Sequence, residues 1–210
     1  NQVKPYYRAS HIFLGFPTRY VERKWNKSIE ALPDKDHRAR RAKASERYGT
    51  AVTDGLFMSS RDGLAFHRWG EAFLRPGIER KDNWIYGDGY QNWGLIETKA
   101  DIPDAPNEIS MYFIENNWKP NCQLRRFAIR MDGFVSVNAP LAGGEFVTKP
   151  LLFRGNTLLL NFSASAAGSV RIEIQDADGK PVPGFALDDA PEILGDSVER
   201  PVVWKEGSDL

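Results

Sequence analysis

The sequence predicts an all-β protein with one short surface helix. Aromatic residues are plentiful (12 Phe, 7 Tyr and 6 Trp), and so are the turn formers Gly (18) and Pro (13). Several segments alternate apolar and polar residues with the two-residue period of a half-buried strand. Asp-Gly pairs stand between such segments, as they do in β-hairpin turns. These three observations indicate many short strands joined by tight turns.

The predicted strands follow one another along the chain. An apolar run that contains a Pro, at residues 11–20, predicts a buried strand that ends in a turn. Alternation of apolar and polar residues predicts further strands at 108–117, 124–131, 158–163 and 170–175.

Three Asp-Gly pairs predict turns between strand-like segments, at residues 62–63, 132–133 and 178–179. In such turns Gly supplies a positive φ, and the Asp side chain accepts hydrogen bonds from nearby backbone N–H groups. Asp62 lies in a predicted hairpin at 59–69, so we interpret it as a structural turn residue.

Residues 34–48 predict the helix. Good helix formers, early acidic residues, later basic residues and Gly49 just past the end are typical helix signals. The segment lacks a strong apolar stripe, so we expect it on the surface. Its six basic residues are compatible with a phosphate-binding patch, but a solvated helix face is the better interpretation.

The composition of the chain changes near residue 133. Before this point the chain is rich in Trp, Tyr and Arg; after it come regular amphipathic strands and, until Trp204, no Trp. We therefore expect two all-β domains, at residues 1–133 and 134–210.

Several classes of function are disfavoured. The 28 basic and 28 acidic residues balance, which gives no sign of a nucleic-acid partner. No apolar run approaches the ~20 residues of a membrane helix. The single Cys and the scattered histidines lack metal-ligand spacing, and phosphate-binding Gly motifs are missing from the sequence, so no cofactor or metal is expected.

The aromatic loop, residues 82–94, is the most unusual segment. It holds Trp84, Tyr86, Tyr90 and Trp93 beside Asp88 and several amides. Flat rings beside carboxylates and amides suit a carbohydrate, whose rings offer C–H faces and a rim of hydroxyl groups. The same rings suit a connector that fills a core while each polar tip finds a partner. Both interpretations stay open from the sequence.

Two carboxylates are candidates for acid–base chemistry. Glu97 follows the aromatic loop in a short apolar segment, where desolvation would raise its pKa as a general acid requires. Asp54 stands at the head of an apolar strand. Arg19 is a candidate to orient such an acid or to bind an anionic sugar. The alternatives are a solvated or ion-paired Glu97, a turn role for Asp54 and a solvated Arg19.

The order of these motifs resembles a known family. The segments TDGLFMSSRDGLAFHRW, NWIYGDGYQNWGLIET and RRFAIRMDGFVSV resemble the later blades of a five-bladed β-propeller of the glycoside hydrolase 32/43 type. The continuation from residue 143 to residue 185 resembles the β-sandwich that follows the propeller in bacterial members.

This resemblance implies a carbohydrate substrate, a funnel at the propeller axis and an extracytoplasmic location. It places the general acid at Glu97 and a second carboxylate at Asp54, with the aromatic loop stacking on sugar rings. Only part of a propeller precedes residue 133, and the first-blade Asp motif is not found. We therefore expect a segment of a glycosidase, whose remaining blades belong to a longer chain or to another chain.

Two other hypotheses remain. A non-catalytic carbohydrate-binding module predicts aromatic rings on an exposed platform without a carboxylate pair. A purely structural module predicts that all the aromatic rings are buried in the core.

Overall fold

Strands dominate the structure and helices are few, as the sequence predicts. The computed structural model describes residues 3–92, 94–208 and 210. The strands in these ranges are β1 (Lys4–Tyr6), β2 (Ala9–Gly15), β3 (Thr18–Val21), β4 (Val52–Gly55), β5 (Met58–Ser60), β6 (His67–Arg68), β7 (Ile96–Thr98), β8 (Glu108–Glu115), β9 (Gln123–Arg130), β10 (Leu159–Ser163) and β11 (Asp196–Pro201).

The strands form small sheets. Their orders are β1-β2-β5-β6, β3-β4, β7-β8-β9 and β10-β11, and strands β3 and β4, for example, pair antiparallel with Arg19 opposite Asp54 and Tyr20 opposite Thr53. None of these sheets closes into a barrel within the described ranges.

Most of the predicted strands are found. The apolar run at 11–20 forms parts of β2 and β3, which are separated at Phe16 and Pro17. Strands β8, β9 and β10 lie where alternation predicts them. Ser110 of β8 is nevertheless fully buried, and a hydrogen bond of 2.8 Å to the Thr98 hydroxyl satisfies its own hydroxyl there.

The predicted strand at 170–175 is wrong. This segment makes only isolated bridges, at Val170 to Ile193 and at Gln175 to Pro181. Its alternation still has a structural meaning, since Val170, Ile172 and Ile174 are all half-buried. Glu173 is half-buried as well, so side-chain burial follows the predicted alternation only in part and no continuous ladder of hydrogen bonds forms.

The turns are as predicted at two of the three Asp-Gly pairs. Gly63 and Gly179 have φ values of 73° and 78°. At the third pair the positive φ belongs to Asp132, at 58°, and not to Gly133. Asp tolerates the left-handed region because its short side chain can satisfy the local backbone.

Three short helices lie in the described ranges instead of one: α1 (Lys27–Ala31), α2 (Lys35–Ala42) and α3 (Arg47–Thr50). Asp34 caps α2 by accepting a hydrogen bond from the backbone N–H of His37. The prediction of a surface helix is wrong for one face of α2, which buries His37 and Arg38. None of these helices combines the length and the apolar character needed to cross a membrane.

The chain divides into two compact units. The first comprises the residues up to Lys99 together with Asn107–Ile129, and the second comprises Ala100–Pro106 together with Arg130–Leu210. The core of the first unit includes Leu56, Phe57 and Phe113, all almost fully buried. In the second unit Trp204 is 2% exposed, and its indole N–H donates to the carbonyl oxygen of Ile172 at 2.9 Å.

Candidate functional site

The described part of the aromatic loop, residues 82–92, is fastened along strand β8. The backbone N–H of Gly89 donates to the Ile114 carbonyl at 3.0 Å, and the Ile114 N–H donates to the Tyr90 carbonyl at 3.0 Å. The Asn92 N–H donates to the Tyr112 carbonyl at 2.7 Å. The loop therefore has ladder-like bonds at its C-terminal half, although its sequence has no strand period.

Thr53 of strand β4 holds the centre of the loop. Its buried hydroxyl donates to the Asp88 carbonyl at 2.6 Å and accepts from the Gly87 N–H at 3.0 Å. Gly87 has a φ of 100°, and a Cβ placed there would lie 1.8 Å from Nδ2 of Asn117. Only glycine fits this position without strain or displacement.

Helix α2 supports the same loop through a buried arginine. Arg38 is 1% exposed and donates to the carbonyl oxygens of Pro33 at 3.0 Å and Gly49 at 3.3 Å. A third hydrogen bond reaches the Trp84 carbonyl. Burial lowers the pKa of Arg38, and the charge of Asp88 is among the groups that oppose this effect.

Lys119 ties the start of the loop to the start of α2. Its ammonium group lies 2.5 Å from Oδ2 of Asp34 and 2.9 Å from Oδ1 of Asp82, and its side chain is only 5% exposed. Burial works to lower the pKa of Lys119, but the two carboxylates raise it on balance. The buried ammonium therefore stays charged.

Asp88 is the buried acid of the loop. It is 4% exposed, and its Oδ1 accepts a hydrogen bond from the Asn117 N–H at 2.9 Å. Burial raises the pKa of Asp88 to about 6, helped by the nearby charge of Glu115 and opposed by backbone N–H donors. Asp88 and Glu115 line one cavity of about 20 Å³, which has room for about one water molecule.

Four tyrosines and an arginine form a partly exposed group, in which two of the tyrosines are half-buried. It is here called the tyrosine cluster and comprises Tyr20, Tyr48, Tyr86, Tyr90 and Arg47. The Tyr86 ring lies 5.1 Å from the Tyr48 ring and 6.2 Å from the Tyr20 ring. Burial raises the pKa of Tyr90, and the neighbouring Tyr86 phenol adds to this effect. The Arg47 guanidinium lies between 5.4 and 5.8 Å from the ring centres of Tyr20, Tyr48 and Tyr86. Tyr20 and Tyr90 remain 47% and 39% exposed.

A second cation extends the tyrosine cluster. The Arg41 guanidinium lies 4.0 Å from the centre of the Trp118 ring and 5.4 Å from that of Tyr48. Trp118 is 56% exposed. These are cation–π contacts, in which an arginine rests against the electron-rich face of an aromatic ring.

Trp84 belongs to the support of the loop more than to its exposed surface. Its indole N–H donates to the Gly77 carbonyl at 2.8 Å, and its own carbonyl accepts from Arg38. It adopts a positive φ of 61°. Trp93, which we predict as a stacking residue, lies outside the described residues.

Asp54 and Arg19 form an ion pair across strands β3 and β4. Nε of Arg19 donates to Oδ1 of Asp54 at 3.0 Å, Nη2 donates to Oδ2 at 2.5 Å, and Nη1 donates to the Gly70 carbonyl at 2.6 Å. The structure shows this pair, and a role for Arg19 in orienting a catalytic acid stays a prediction. The alternative of a turn role for Asp54 is wrong, because Asp54 lies within β4.

Glu97 lies apart from this pair. It is exposed on strand β7, where its carboxylate accepts hydrogen bonds from Nδ2 of Asn107 at 2.7 Å and from the Tyr7 hydroxyl at 3.3 Å. The expectation that Glu97 is desolvated is wrong, because its neighbours in the sheet leave it open to water. No described contact joins Glu97 to Asp54.

The structure therefore separates the predicted site residues into groups. Tyr86 and Tyr90 meet in the tyrosine cluster, Arg19 meets Asp54, and Glu97 stands alone. Sequence reasoning missed the other members of the cluster and the cation that extends it, which come from β3, α2 and α3: Tyr20, Arg41, Arg47 and Tyr48. The sequence offers one signal, the six basic residues at 35–47 that precede Tyr48.

Comparisons with protein-family models, with curated proteins and with solved structures found no match to the chain. Within the described ranges, no group of three or more His, Cys, Asp or Glu side chains is arranged to hold a metal ion. The site must therefore be interpreted from its own geometry.

Proposed function

We propose that the protein binds carbohydrate and that the tyrosine cluster is its platform. The observation that supports this proposal is a set of phenol rings, two exposed and two half-buried, above the buried polar groups that hold the loop. Sugar rings present C–H faces that pack on aromatic rings, and phenol hydroxyls can hydrogen-bond to sugar hydroxyls. Because the loop is preorganised, little conformational entropy is lost when a ligand binds.

The positions of the carboxylates favour binding over hydrolysis. A glycosidase uses two carboxyl groups, roughly 5–10 Å apart, on either side of the bond that it cleaves. Asp54 is engaged by Arg19 and Glu97 by Asn107 and Tyr7. The described tyrosine cluster contains rings and guanidinium groups but no carboxylate pair.

The proposed architecture is part of a five-bladed β-propeller in the first unit and a β-sandwich in the second. The sheet β1-β2-β5-β6 supports the first part of this proposal, since it has the four strands typical of one propeller blade. The antiparallel pair β10-β11 supports the second part, since antiparallel strands are the building unit of a sandwich.

The test is titration of the protein with tetrasaccharides by calorimetry, using neutral and acidic members of similar length. We expect Tyr86→Ala to weaken binding about tenfold, because a ring contact contributes about 1.4 kcal/mol. Tyr7→Ala is the matched control, since Tyr7 is 51% exposed but lies outside the cluster. Failure of the wild type to bind any member at millimolar concentration, or equal losses in the two variants, would contradict the proposal.

A second candidate function is glycoside hydrolysis, and Asp88 is the observation that favours it. A carboxyl group whose pKa is about 6 is suited to act as a general acid near neutral pH. In this role Asp88 is better placed than the exposed Glu97. The cavity beside Asp88 is too small for a sugar, so hydrolysis requires the loop to open.

Hydrolysis is tested with aryl glycosides against the wild type and three variants: Asp88→Asn, Asp54→Asn and Glu97→Gln. If Asp88 is the acid, Asp88→Asn loses activity most on substrates with poor leaving groups, because these depend on proton donation. Activity that survives unchanged in all three variants would rule out these carboxylates as the catalytic groups.

A further inference from the structure

The tyrosine cluster carries positive charge that the described chain does not neutralise. Arg41 and Arg47 contact aromatic rings, and neither forms an ion pair with a carboxylate of the described residues. By contrast, Arg19, Arg126 and Arg130 each pair with an Asp or Glu. An exposed guanidinium without a counterion is available to an anion from outside.

Arg47 has the donors needed for such an anion. A guanidinium carries five N–H donors, and the nearby hydroxyls of Tyr48 and Tyr20 raise the pKa of Arg47. These hydroxyls are neutral, so they supply no counter-charge to the exposed guanidinium. The hydrogen bond with Tyr48 is the largest of the effects that raise the pKa of Arg47, so the side chain keeps its charge.

Arg41 likewise has no counterion among the described residues. Its Nε atom is buried and has no hydrogen-bond partner, while the face of its guanidinium rests on Trp118. The chain around both arginines is basic, since residues 35–50 contain six basic and two acidic residues. The local field over the tyrosine cluster therefore attracts negative charge.

We propose that the ligand of the tyrosine cluster is an acidic glycan, whose sugars carry carboxylate groups. This inference rests on the proposed carbohydrate-binding function and adds the chemical class of the sugar. The rings of Tyr20, Tyr48 and Tyr86 take the C–H faces of the sugar. The guanidinium of Arg47 takes the carboxylate, in the paired hydrogen bonds that carboxylates and guanidinium groups form.

The charge distinguishes this ligand from a neutral glycan. A neutral sugar would desolvate Arg47 without supplying a counter-charge, which costs free energy. A uronate places its carboxylate at the edge of the same ring that stacks, so one residue of the glycan satisfies both kinds of contact. Single-stranded nucleic acid also combines flat rings with anions, and it serves as the competing ligand in the test.

The experiment compares tetragalacturonate with its methyl ester, which has the same rings without the charge. Affinities are measured by calorimetry at low and at moderate salt for the wild type, Arg47→Gln and Tyr86→Ala. Arg171→Gln is the matched control, because Arg171 is exposed on the second unit and its substitution changes the net charge equally. Circular dichroism confirms that each variant is folded.

We expect the wild type to bind the acid about tenfold more tightly than the ester, as one charge-assisted hydrogen-bond pair predicts. Arg47→Gln is expected to remove this preference, and Arg171→Gln to keep it. The preference is also expected to shrink as salt is raised.

The two proposals fail in different ways. Equal binding of acid and ester, with a loss in Tyr86→Ala, would overturn the acidic ligand and leave glycan binding in place. Absence of binding to both, and to the neutral tetrasaccharides, would overturn glycan binding itself. Tighter binding of a deoxythymidine oligonucleotide than of tetragalacturonate, lost in Arg47→Gln, would overturn the acidic glycan in favour of nucleic acid.

Discussion

Replacing Asp88 with Asn should make the stability of the protein less sensitive to pH. The carboxyl group is buried and has a pKa of about 6, against an ordinary value of 3.8. Because the folded state binds this proton more tightly than the unfolded state, folding is favoured most below pH 3.8. The advantage is lost as the pH rises through about 6.

The size of the effect follows from the pKa difference. At about 1.4 kcal/mol for each pKa unit, ionisation of Asp88 destabilises the folded state by about 3 kcal/mol at neutral pH. Asn removes the charge but keeps an oxygen that accepts the Asn117 N–H. The wild type should therefore lose more than about 2 kcal/mol relative to Asp88→Asn between about pH 4 and pH 7.

The assay is urea unfolding of both proteins across this pH range, with the difference between their free energies of unfolding as the measured quantity. Asp62→Asn is a control in which the pH dependence of stability should have the opposite sign. Hydrogen bonds from the backbone N–H groups of Leu64 and Ala65 lower the pKa of Asp62. Its contribution is therefore lost as the pH falls. A constant difference between wild type and Asp88→Asn would refute the argument that burial destabilises this carboxylate.

Two further substitutions test how the loop is held. Gly87→Ala should lower the free energy of unfolding by about 2–4 kcal/mol, because of the positive φ and the contact with Asn117. Gly77 has a φ of 79° and nothing within 4 Å of an added Cβ, so Gly77→Ala should lose only the conformational part. Equal losses in urea unfolding would contradict the close contact at Gly87. Lys119→Met should cost about 3 kcal/mol because it leaves two carboxylates without their buried partner. Lys205→Met removes a side chain that is 68% exposed and pairs with Asp189, so it should cost under about 1 kcal/mol. Similar melting temperatures for these two variants would show that the Lys119 pairs contribute little.

The strands were predictable where side-chain burial follows the backbone period. In β10, Leu160 and Phe162 face inward while Leu159 and Asn161 are exposed, so alternation alone located the strand. The same rule failed at 170–175, because alternation reports only which side chains are buried. It does not report whether a neighbouring segment lies close enough to complete a ladder.

The candidate site was predictable only in part. The density of rings in the aromatic loop indicates a special segment, which includes Tyr86 and Tyr90. Their partners could not be found in this way, because Tyr20 and Tyr48 are 66 and 38 residues earlier than Tyr86 in the chain. The burial of Arg38 was also hidden, since its acceptors are carbonyl oxygens that any residue supplies.

The aromatic rings of the loop have different structural roles, which accounts for their high density in this segment. Trp84 uses its polar atoms in hydrogen bonds to Gly77 and Arg38, whereas Tyr86 and Tyr90 belong to the tyrosine cluster. A loop held only by apolar contacts could slide, but its hydrogen bonds to Thr53, Arg38 and Asn117 have fixed directions. The buried carboxylate of Asp88 costs stability at neutral pH, a cost that an uncharged residue would avoid. The polar support beneath the loop, which includes this carboxylate, sets the positions of the rings above it and hence the shape of the surface that a ligand meets.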